Sequence, residues 1–115
     1  MSIQAMPSEL EAALAEYRHL LEQRFGVRLL SLVLFGSRAR GDAEPDTYAD
    51  VSVVVRELSE AERGEAVDLA FQAWRRTGGA APLISPLVWS EAERDHRRRA
   101  ERRIARDIDN EGRPL

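Results

Sequence analysis

A glycine-serine pair with two nearby arginines directly follows an apolar run, at Gly36 and Ser37. Glycine allows a phosphate to approach the backbone closely, and a helix that starts here would present free N–H groups. Ser37 adds a hydroxyl donor, while Arg38 and Arg40 offer fixed positive charges that hydrogen-bond phosphate oxygens well. Gly41 would end so short a helix. These residues predict a phosphate-binding turn, and an ordinary surface turn is the alternative.

Asp50 follows this turn near the start of the apolar run ADVSVVV, and Tyr48 stands two residues before it. Residues i and i+2 of a strand project to the same face, so two carboxylates here would hold Mg²⁺ ions, which prefer oxygen ligands. Tyr48 supplies a neutral phenol, a poor Mg²⁺ ligand. Asp46 has the same strand parity and is the candidate for a displaced second ligand. The alternatives are a structural Asp50 that pairs with Arg40, and a Tyr48 that packs or stacks on a base.

The stretch LVLFGSRARGDAEPDTYADVSVVV resembles the signature of the nucleotidyltransferase superfamily related to DNA polymerase β, and especially of its minimal nucleotidyltransferases (MNT). In that family Gly-Ser, two residues and Arg-Gly precede a short loop, often with Pro-Asp, and then Ser-Asp-x-Asp opens a hydrophobic strand. The chain aligns with this pattern without a gap. The matching positions are Gly36, Ser37, Arg40, Gly41, Pro45, Asp46 and Asp50, with Thr47 in place of Ser and Tyr48 in place of the first catalytic Asp.

The resemblance implies a reaction and its phosphate-binding residues. Family members transfer a nucleoside monophosphate from an NTP to a hydroxyl acceptor with the help of Mg²⁺. The residues that would bind the nucleotide phosphates are Gly36, Ser37, Arg40 and Gly41. The resemblance also implies the fold of the family, in which a small sheet is backed by helices.

The metal ligands that the resemblance implies are incomplete in this chain. Asp50 would be the retained catalytic residue and metal ligand, and Asp46 a further metal ligand. Tyr48 occupies the position of the first catalytic Asp. The next predicted strand, in which full members carry a third carboxylate, offers only Ser85. We therefore expect transfer to be weakened or lost.

Partners follow from the same resemblance. In the MNT family the partner is often a small helical HEPN toxin, which the nucleotidyltransferase neutralises as an antitoxin, in some systems by nucleotidylating it. We expect such a HEPN-type partner or a homo-oligomer. A protein acceptor for the nucleotide is one hypothesis, and a catalytically silent antitoxin that masks its partner is the alternative.

The elements that must position these residues are three helices and three strands. Ser-x-x-Glu signatures predict helix starts because such pairs form capping boxes, and glycines predict the helix ends. Three short runs rich in branched residues, VRLLSLVLF, VSVVV and PLISPLVW, predict buried strands. The expected fold is α/β of the α+β type, with a small mixed twisted sheet of about three to four strands backed by helices. The cap pairs are Ser8 with Glu11, Ser59 with Glu62, and Ser90 with Glu93, and the glycines are Gly26, Gly78, Gly79 and Gly112.

Composition excludes several classes of protein. The 115 residues fit a single domain, 1–115, and contain no cysteine and no lysine, which excludes thiolate metal sites, disulfides and covalent catalysis by a side-chain amine. The net charge of −3 makes nucleic acid an unlikely partner. No apolar run approaches the roughly 18 residues of a membrane span, and the first ten residues lack the pattern of a signal peptide. A cytoplasmic location without membrane contact is expected.

An arginine-rich run near the C-terminus contains seven arginines interleaved with acids, from Arg94 to Arg106. Residues at four-residue steps along this part of the chain form a thin apolar seam. The simpler interpretation is a solvated helix face along which the arginines and acids form ion pairs. The alternative is an arginine patch that contacts an acidic protein partner. The seam residues are Ala92, His96, Ala100, Ile104 and Ile108.

Overall fold

The computed structural model describes residues 6–44, 47–100 and 103–115. Helices and strands alternate along these residues, and no described helix combines the length and apolar character that crossing a bilayer requires. The elements are α1 (Ser8–Phe25), a 3₁₀ turn (Gly26–Arg28), β1 (Leu29–Phe35), α2 (Ser37–Arg40), β2 (Ala49–Val55), α3 (Glu60–Arg76), β3 (Ile84–Ser90), α4 (Glu91–Arg99), α5 (Arg103–Glu111) and β4 (Arg113–Pro114).

The four strands form one mixed sheet in the order β3-β2-β1-β4. β1 is antiparallel to both β2 and β4, whereas β2 and β3 are parallel. Parallel neighbours need a crossover connection, and α3 provides it. The predicted α+β fold, with a small mixed sheet backed by helices, is therefore confirmed.

One face of the sheet, which we call the α1/α3 face, carries most of the core. Val51, Val53 and Val55 point to this face from β2 and are completely buried, in keeping with the two-residue period of a strand. Leucines and alanines from α1 and α3 pack against them. Tyr17 of α1 donates a hydrogen bond from its hydroxyl to the Ala66 carbonyl oxygen of α3 at 2.9 Å, which ties the two helices together.

The opposite face, which we call the α4/α5 face, has a smaller core. Phe35 of β1 and Trp89 of β3 pack there against Ala105 and Ile108 of α5. The alternate residues of β2 that project to this face are Asp50, Ser52 and Val54. The α4/α5 face is therefore the polar side of the sheet.

Two of the three predicted capping boxes are present. Ser59 with Glu62 and Ser90 with Glu93 each make both reciprocal hydrogen bonds, at the starts of α3 and α4. The prediction for Ser8 with Glu11 was wrong. Pro7 is the N-cap of α1, and its carbonyl oxygen accepts from the Glu11 N–H at 3.0 Å. Ser8 already lies inside the helix, so its side chain makes no cap.

The single C-terminal helix that the sequence predicted is divided into α4 and α5, and a short β4 follows. In α5, Ala105 and Ile108 are buried, whereas Ile104 is 41% exposed, so Ile104 does not lie in the core as the predicted apolar seam required. At Gly112 a β-carbon would collide with the Ile108 carbonyl oxygen and with Val33. Glycine there allows the chain to return close to β1 and form β4.

Candidate functional site

The turn from Gly36 to Gly41 joins β1 to a one-turn helix, as the sequence predicted. Gly36 has φ 73° and ψ −157°, a conformation that favours glycine, and its carbonyl oxygen accepts from the Ala39 and Arg40 N–H groups, both at 3.1 Å. Gly41 adopts the left-handed conformation that ends the helix, and its N–H donates to the Ser37 carbonyl oxygen at 2.9 Å. The turn brings Ser37 to the end of β1, beside the first residues of β2.

Asp50 lies against this turn. It pairs with Phe35 of β1 and with Ser85 of β3, and its Oδ2 atom is 2.8 Å from the position that a β-carbon on Gly36 would occupy. Gly36 is therefore required for two reasons, its backbone conformation and the space that the Asp50 carboxylate takes. Partial burial raises the pKa of the Asp50 carboxyl above its usual value. Among the described residues Asp50 has no ion-pair partner, so a cation would find an uncompensated carboxylate here.

The two arginines of the turn stabilise the structure around Asp50. Arg40 donates to Glu111 Oε2 from Nη1 at 3.0 Å and to Asp42 Oδ2 from Nε at 3.4 Å. These acids hold the pKa of Arg40 above its usual range and link the turn to the end of α5. Arg40 thus pairs with Glu111 and Asp42 rather than with Asp50. Sequence reasoning missed Glu111, because nothing local connects two residues 71 positions apart.

Arg38 holds the loop that leads from the turn to β2. Its Nε and Nη2 atoms donate to the Thr47 carbonyl oxygen at 3.2 and 2.9 Å, and Nη2 also donates to the Glu44 carbonyl oxygen at 3.3 Å. The sequence predicted a phosphate-binding charge at Arg38, whereas the structure gives this side chain backbone partners. It fixes the approach of the chain to Asp50.

Tyr48 lies in an open groove just before β2 begins. Its ring is 56% exposed and lines this groove of about 310 Å³ together with residues of β3 and α3. The Asp50 carboxylate lies beside Gly36, so the Tyr48 ring and the Asp50 carboxylate have different neighbours. We call the open groove the Tyr48 groove. Its other lining residues are Val67, Ala70, Phe71, Leu83, Ile84, Ser85 and Pro86.

The described residues do not form a site for two metal ions. No group of three or more His, Cys, Asp or Glu side chains gathers among them. Asp46, the candidate second ligand, and Pro45 lie outside the described residues. Asp50 is the carboxylate at the turn, and Mg²⁺ in phosphoryl-transfer sites is often held by one or two carboxylates together with substrate phosphates. The residues fit one such ion carried by a nucleotide, not a pair held by the protein.

The arginine-rich run forms the network of ion pairs that the simpler interpretation predicted. Arg98 donates to both carboxylate oxygens of Asp109, at 2.7 and 3.0 Å, and lies 4.0 Å from Asp95. Arg103 lies 3.9 Å from Asp107. Arg102 is outside the described residues. His96, which the sequence placed on the apolar seam, is exposed.

Comparison with known proteins places this geometry in a family. Residues 14–109 match the family model described as "Nucleotidyltransferase domain". A "Protein adenylyltransferase MntA" from Thermococcus cleftensis is 30% identical, over 70% of this chain and 92% of that protein. A crystal structure described as a candidate nucleotidyltransferase from Sulfolobus solfataricus superposes with a TM-score of 0.45 at 21% identity, over 83% of this chain and 85% of the other.

The family model spans both strands that form the turn and Asp50, together with α3, β3 and α4. The family pattern of Gly-Ser, Arg-Gly and a strand acid is found in these elements at Gly36, Arg40 and Asp50. With this coverage and this arrangement, the chain belongs to the nucleotidyltransferase domain family.

Proposed function

We propose that this chain binds a Mg²⁺-nucleoside triphosphate at the Gly36–Gly41 turn and Asp50, and transfers its nucleoside monophosphate at a low rate to a hydroxyl of a protein acceptor. The observation that carries the proposal is the Asp50 carboxylate, held against Gly36 with its pKa raised by burial and with no ion-pair partner among the described residues. A partly buried carboxylate of this kind is costly to the fold and is stabilised when a cation binds.

Each residue of the turn has a role in this proposal. Gly36 gives phosphate oxygens access to the backbone, and Ser37 donates a hydrogen bond from its hydroxyl. Arg40 keeps the turn in place through Glu111 and adds positive charge nearby. Mg²⁺, when bound, would screen the charge of the phosphates and favour displacement at the α-phosphorus. Asp50 would orient that ion.

The protein acceptor is supported by the name of the relative, a protein adenylyltransferase that this chain covers over 92% of its length. ATP is therefore the first nucleotide to test. The reaction would take place in the cytoplasm, where ATP and Mg²⁺ are available. The low rate follows from Tyr48, because a carboxylate that the family places two residues before Asp50 is missing here.

Titration calorimetry with ATP and Mg²⁺ tests the binding part. We expect wild-type protein to bind weakly and Asp50→Ala to lose Mg²⁺-dependent binding. Tyr48→Asp should bind more tightly, since it supplies a second carboxylate two residues before Asp50, whereas the matched control Tyr48→Phe should behave like wild type. If wild type bound metal-nucleotide tightly and Tyr48→Asp added nothing, the view of a weakened site would be wrong.

Labelled nucleotide tests the transfer part. Protein co-purified with its natural partner is incubated with labelled ATP and Mg²⁺, and the partner is examined for label. We expect slow labelling that Tyr48→Asp increases and Asp50→Ala abolishes. If Asp50→Ala labelled the partner as fast as wild type does, other residues would have to carry out the transfer.

A second candidate function is a catalytically silent module that masks a partner such as a HEPN-type toxin. The Tyr48 groove favours it, because Tyr48, Val67 and Phe71 are 56%, 44% and 52% exposed and lie together. A bound small helical protein that never acquires label, and whose binding Phe71→Ser abolishes, would support this candidate over the enzyme.

A further inference from the structure

A partly open cavity with polar lining residues lies on the α4/α5 face, away from the Asp50 turn. It measures about 170 Å³, well above the roughly 30 Å³ that one water occupies in the liquid. Neither Asp50 nor any residue of the turn lines it. We call it the Trp89 cavity. Its lining includes Ser31, Ser52, Trp89, Arg94, Arg98 and Asp109.

Trp89, in the wall of this cavity, has a polar atom without a hydrogen-bond partner among the described residues. Trp89 is 2% exposed, and its Nε1–H makes no hydrogen bond within the described chain. An indole N–H is only a donor, and leaving it without a partner in a buried site costs about 1–3 kcal/mol. Trp74, by contrast, donates from Nε1 to the Ala81 carbonyl oxygen at 2.7 Å. Trp89 therefore lacks, among the described residues, the kind of partner that Trp74 has, and its ring lies in the wall of the cavity.

Positive charge surrounds this donor. Arg94 uses Nε for Asp95 Oδ1 at 3.2 Å, and its two terminal nitrogens have no hydrogen bond among the described residues. Arg97 stacks on the Trp89 ring, with Cζ 4.9 Å from the ring centroid. Asp109, the acid in the lining, is neutralised by two hydrogen bonds from Arg98. Among the residues that the structure describes around this cavity, unused hydrogen-bond donors are therefore present at Arg94, while the Asp109 carboxylate is paired.

We propose that the Trp89 cavity binds a small oxyanion, of the size of phosphate or pyrophosphate, through the Arg94 guanidinium and the hydroxyl groups of Ser31 and Ser52, beside the Trp89 ring. Ser31 and Ser52 add hydroxyl groups to the lining, and a hydroxyl donates readily to an anionic oxygen. The proposal is independent of catalysis at Asp50, because the two sites share no lining residue.

Trp89 itself reports on the binding. The chain contains two tryptophans, so Trp74→Phe leaves Trp89 as the single indole. In this background, Trp89 fluorescence and the ¹⁵N–¹H signal of its indole are followed while inorganic phosphate or pyrophosphate is added at constant ionic strength. Chloride at the same ionic strength is the control ion. We expect saturable changes with one or both oxyanions and none with chloride.

Substitutions locate the site. Arg94→Gln should weaken binding roughly tenfold or more, since it removes a charged hydrogen-bond donor, and Ser52→Ala should weaken it by a smaller factor. Arg75→Gln is the matched control, because Arg75 is exposed and stacks on Phe71, on the other side of the sheet. It should change affinity less than twofold. Thermal melting establishes that each variant is folded.

Three results would overturn the proposal. The first is a Trp89 signal that does not change with either oxyanion, which would mean that water fills the cavity. The second is an equal response to chloride, which indicates a general salt effect. The third is binding that Ser37→Ala weakens and Arg94→Gln and Ser52→Ala leave intact, which would assign the anion to the Gly36 turn.

Discussion

The two faces of the sheet differ in what they bury. The α1/α3 face buries valines, leucines and alanines almost without polar groups, and its main buried hydroxyl, on Tyr17, has a partner at 2.9 Å. On the α4/α5 face, within the described part of the chain, Asp50 has no ion-pair partner, Ser52 is buried and the Trp89 indole N–H has no hydrogen-bond partner. Buried polar groups left unsatisfied cost stability, and functional sites are where such costs are expected. We therefore expect the first face to matter mainly for stability and the second for binding.

The largest expected effect is on stability, and it tests whether the α1/α3 face contributes more to the free energy of unfolding than the α4/α5 face. Leu21→Ala empties a completely buried position on the α1/α3 face and should lower the free energy of unfolding by about 2–5 kcal/mol. Ile108→Ala, on the smaller α4/α5 core, should cost less because that side chain is already 9% exposed. Urea unfolding measures both. Equal losses would contradict the division between the faces.

The second prediction concerns Gly36, with Gly26 as the matched control. Both have positive φ, 73° and 56°, so alanine at either position strains the backbone by about 1–2 kcal/mol. Only at Gly36 would the new β-carbon meet Asp50, since nothing lies within 4 Å at Gly26. Gly36→Ala should therefore be the less stable variant and should also lose nucleotide affinity.

Thermal melting and calorimetry compare the two glycine variants. Combining Gly36→Ala with Asp50→Ala should recover part of the lost stability, because the colliding carboxylate is gone. Equal melting temperatures for Gly36→Ala and Gly26→Ala would show that the carboxylate moves aside freely, and the close approach of Asp50 would then have no importance.

The third prediction is a pH dependence at the start of α3. Glu62 accepts from Arg28 at 2.7 and 2.8 Å and from the Ser59 N–H at 3.0 Å, and these contacts lower the pKa of its carboxyl to about 2. Because the folded pKa is depressed, the stabilisation is present above the ordinary carboxyl pKa and is lost as the pH falls toward 2. Glu62→Gln should be less stable than wild type at pH 7 and equal to it near pH 2.

The fourth and smallest effect has the opposite sign. Burial raises the pKa of Asp50, so its charged form disfavours the folded state, and stability falls as the pH rises through the folded pKa. Asp50→Asn should melt slightly higher than wild type at pH 7 and at the same temperature at pH 3, while it loses Mg²⁺-nucleotide binding. A lower melting temperature at pH 7 would make Asp50 a structural residue.

Local sequence signals predicted the elements that depend on local interactions. The capping boxes at Ser59 and Ser90, and the glycines that bound the short helix α2, involve residues at most a few positions apart. The predictions that were wrong relied on the same local patterns, at positions where other contacts decided the structure. At Ser8 a capping pattern was present, but Pro7 is the N-cap, and Ile104 of the predicted apolar seam is exposed while Ala105 is buried. β4 is two residues long, which is too short to show the two-residue alternation of a strand in the sequence.

The sequence by itself determined the family, the turn from Gly36 to Gly41 and the position of Asp50, because a short, ordered motif specifies each of them. Only the tertiary structure decided how their side chains are used. It placed the Asp50 carboxylate beside Gly36 and Tyr48 in the groove beside α3, joined Arg40 to Glu111, and placed the Trp89 ring in the wall of a cavity. These outcomes depend on packing between elements far apart in the chain, and the sequence of one segment does not specify that packing.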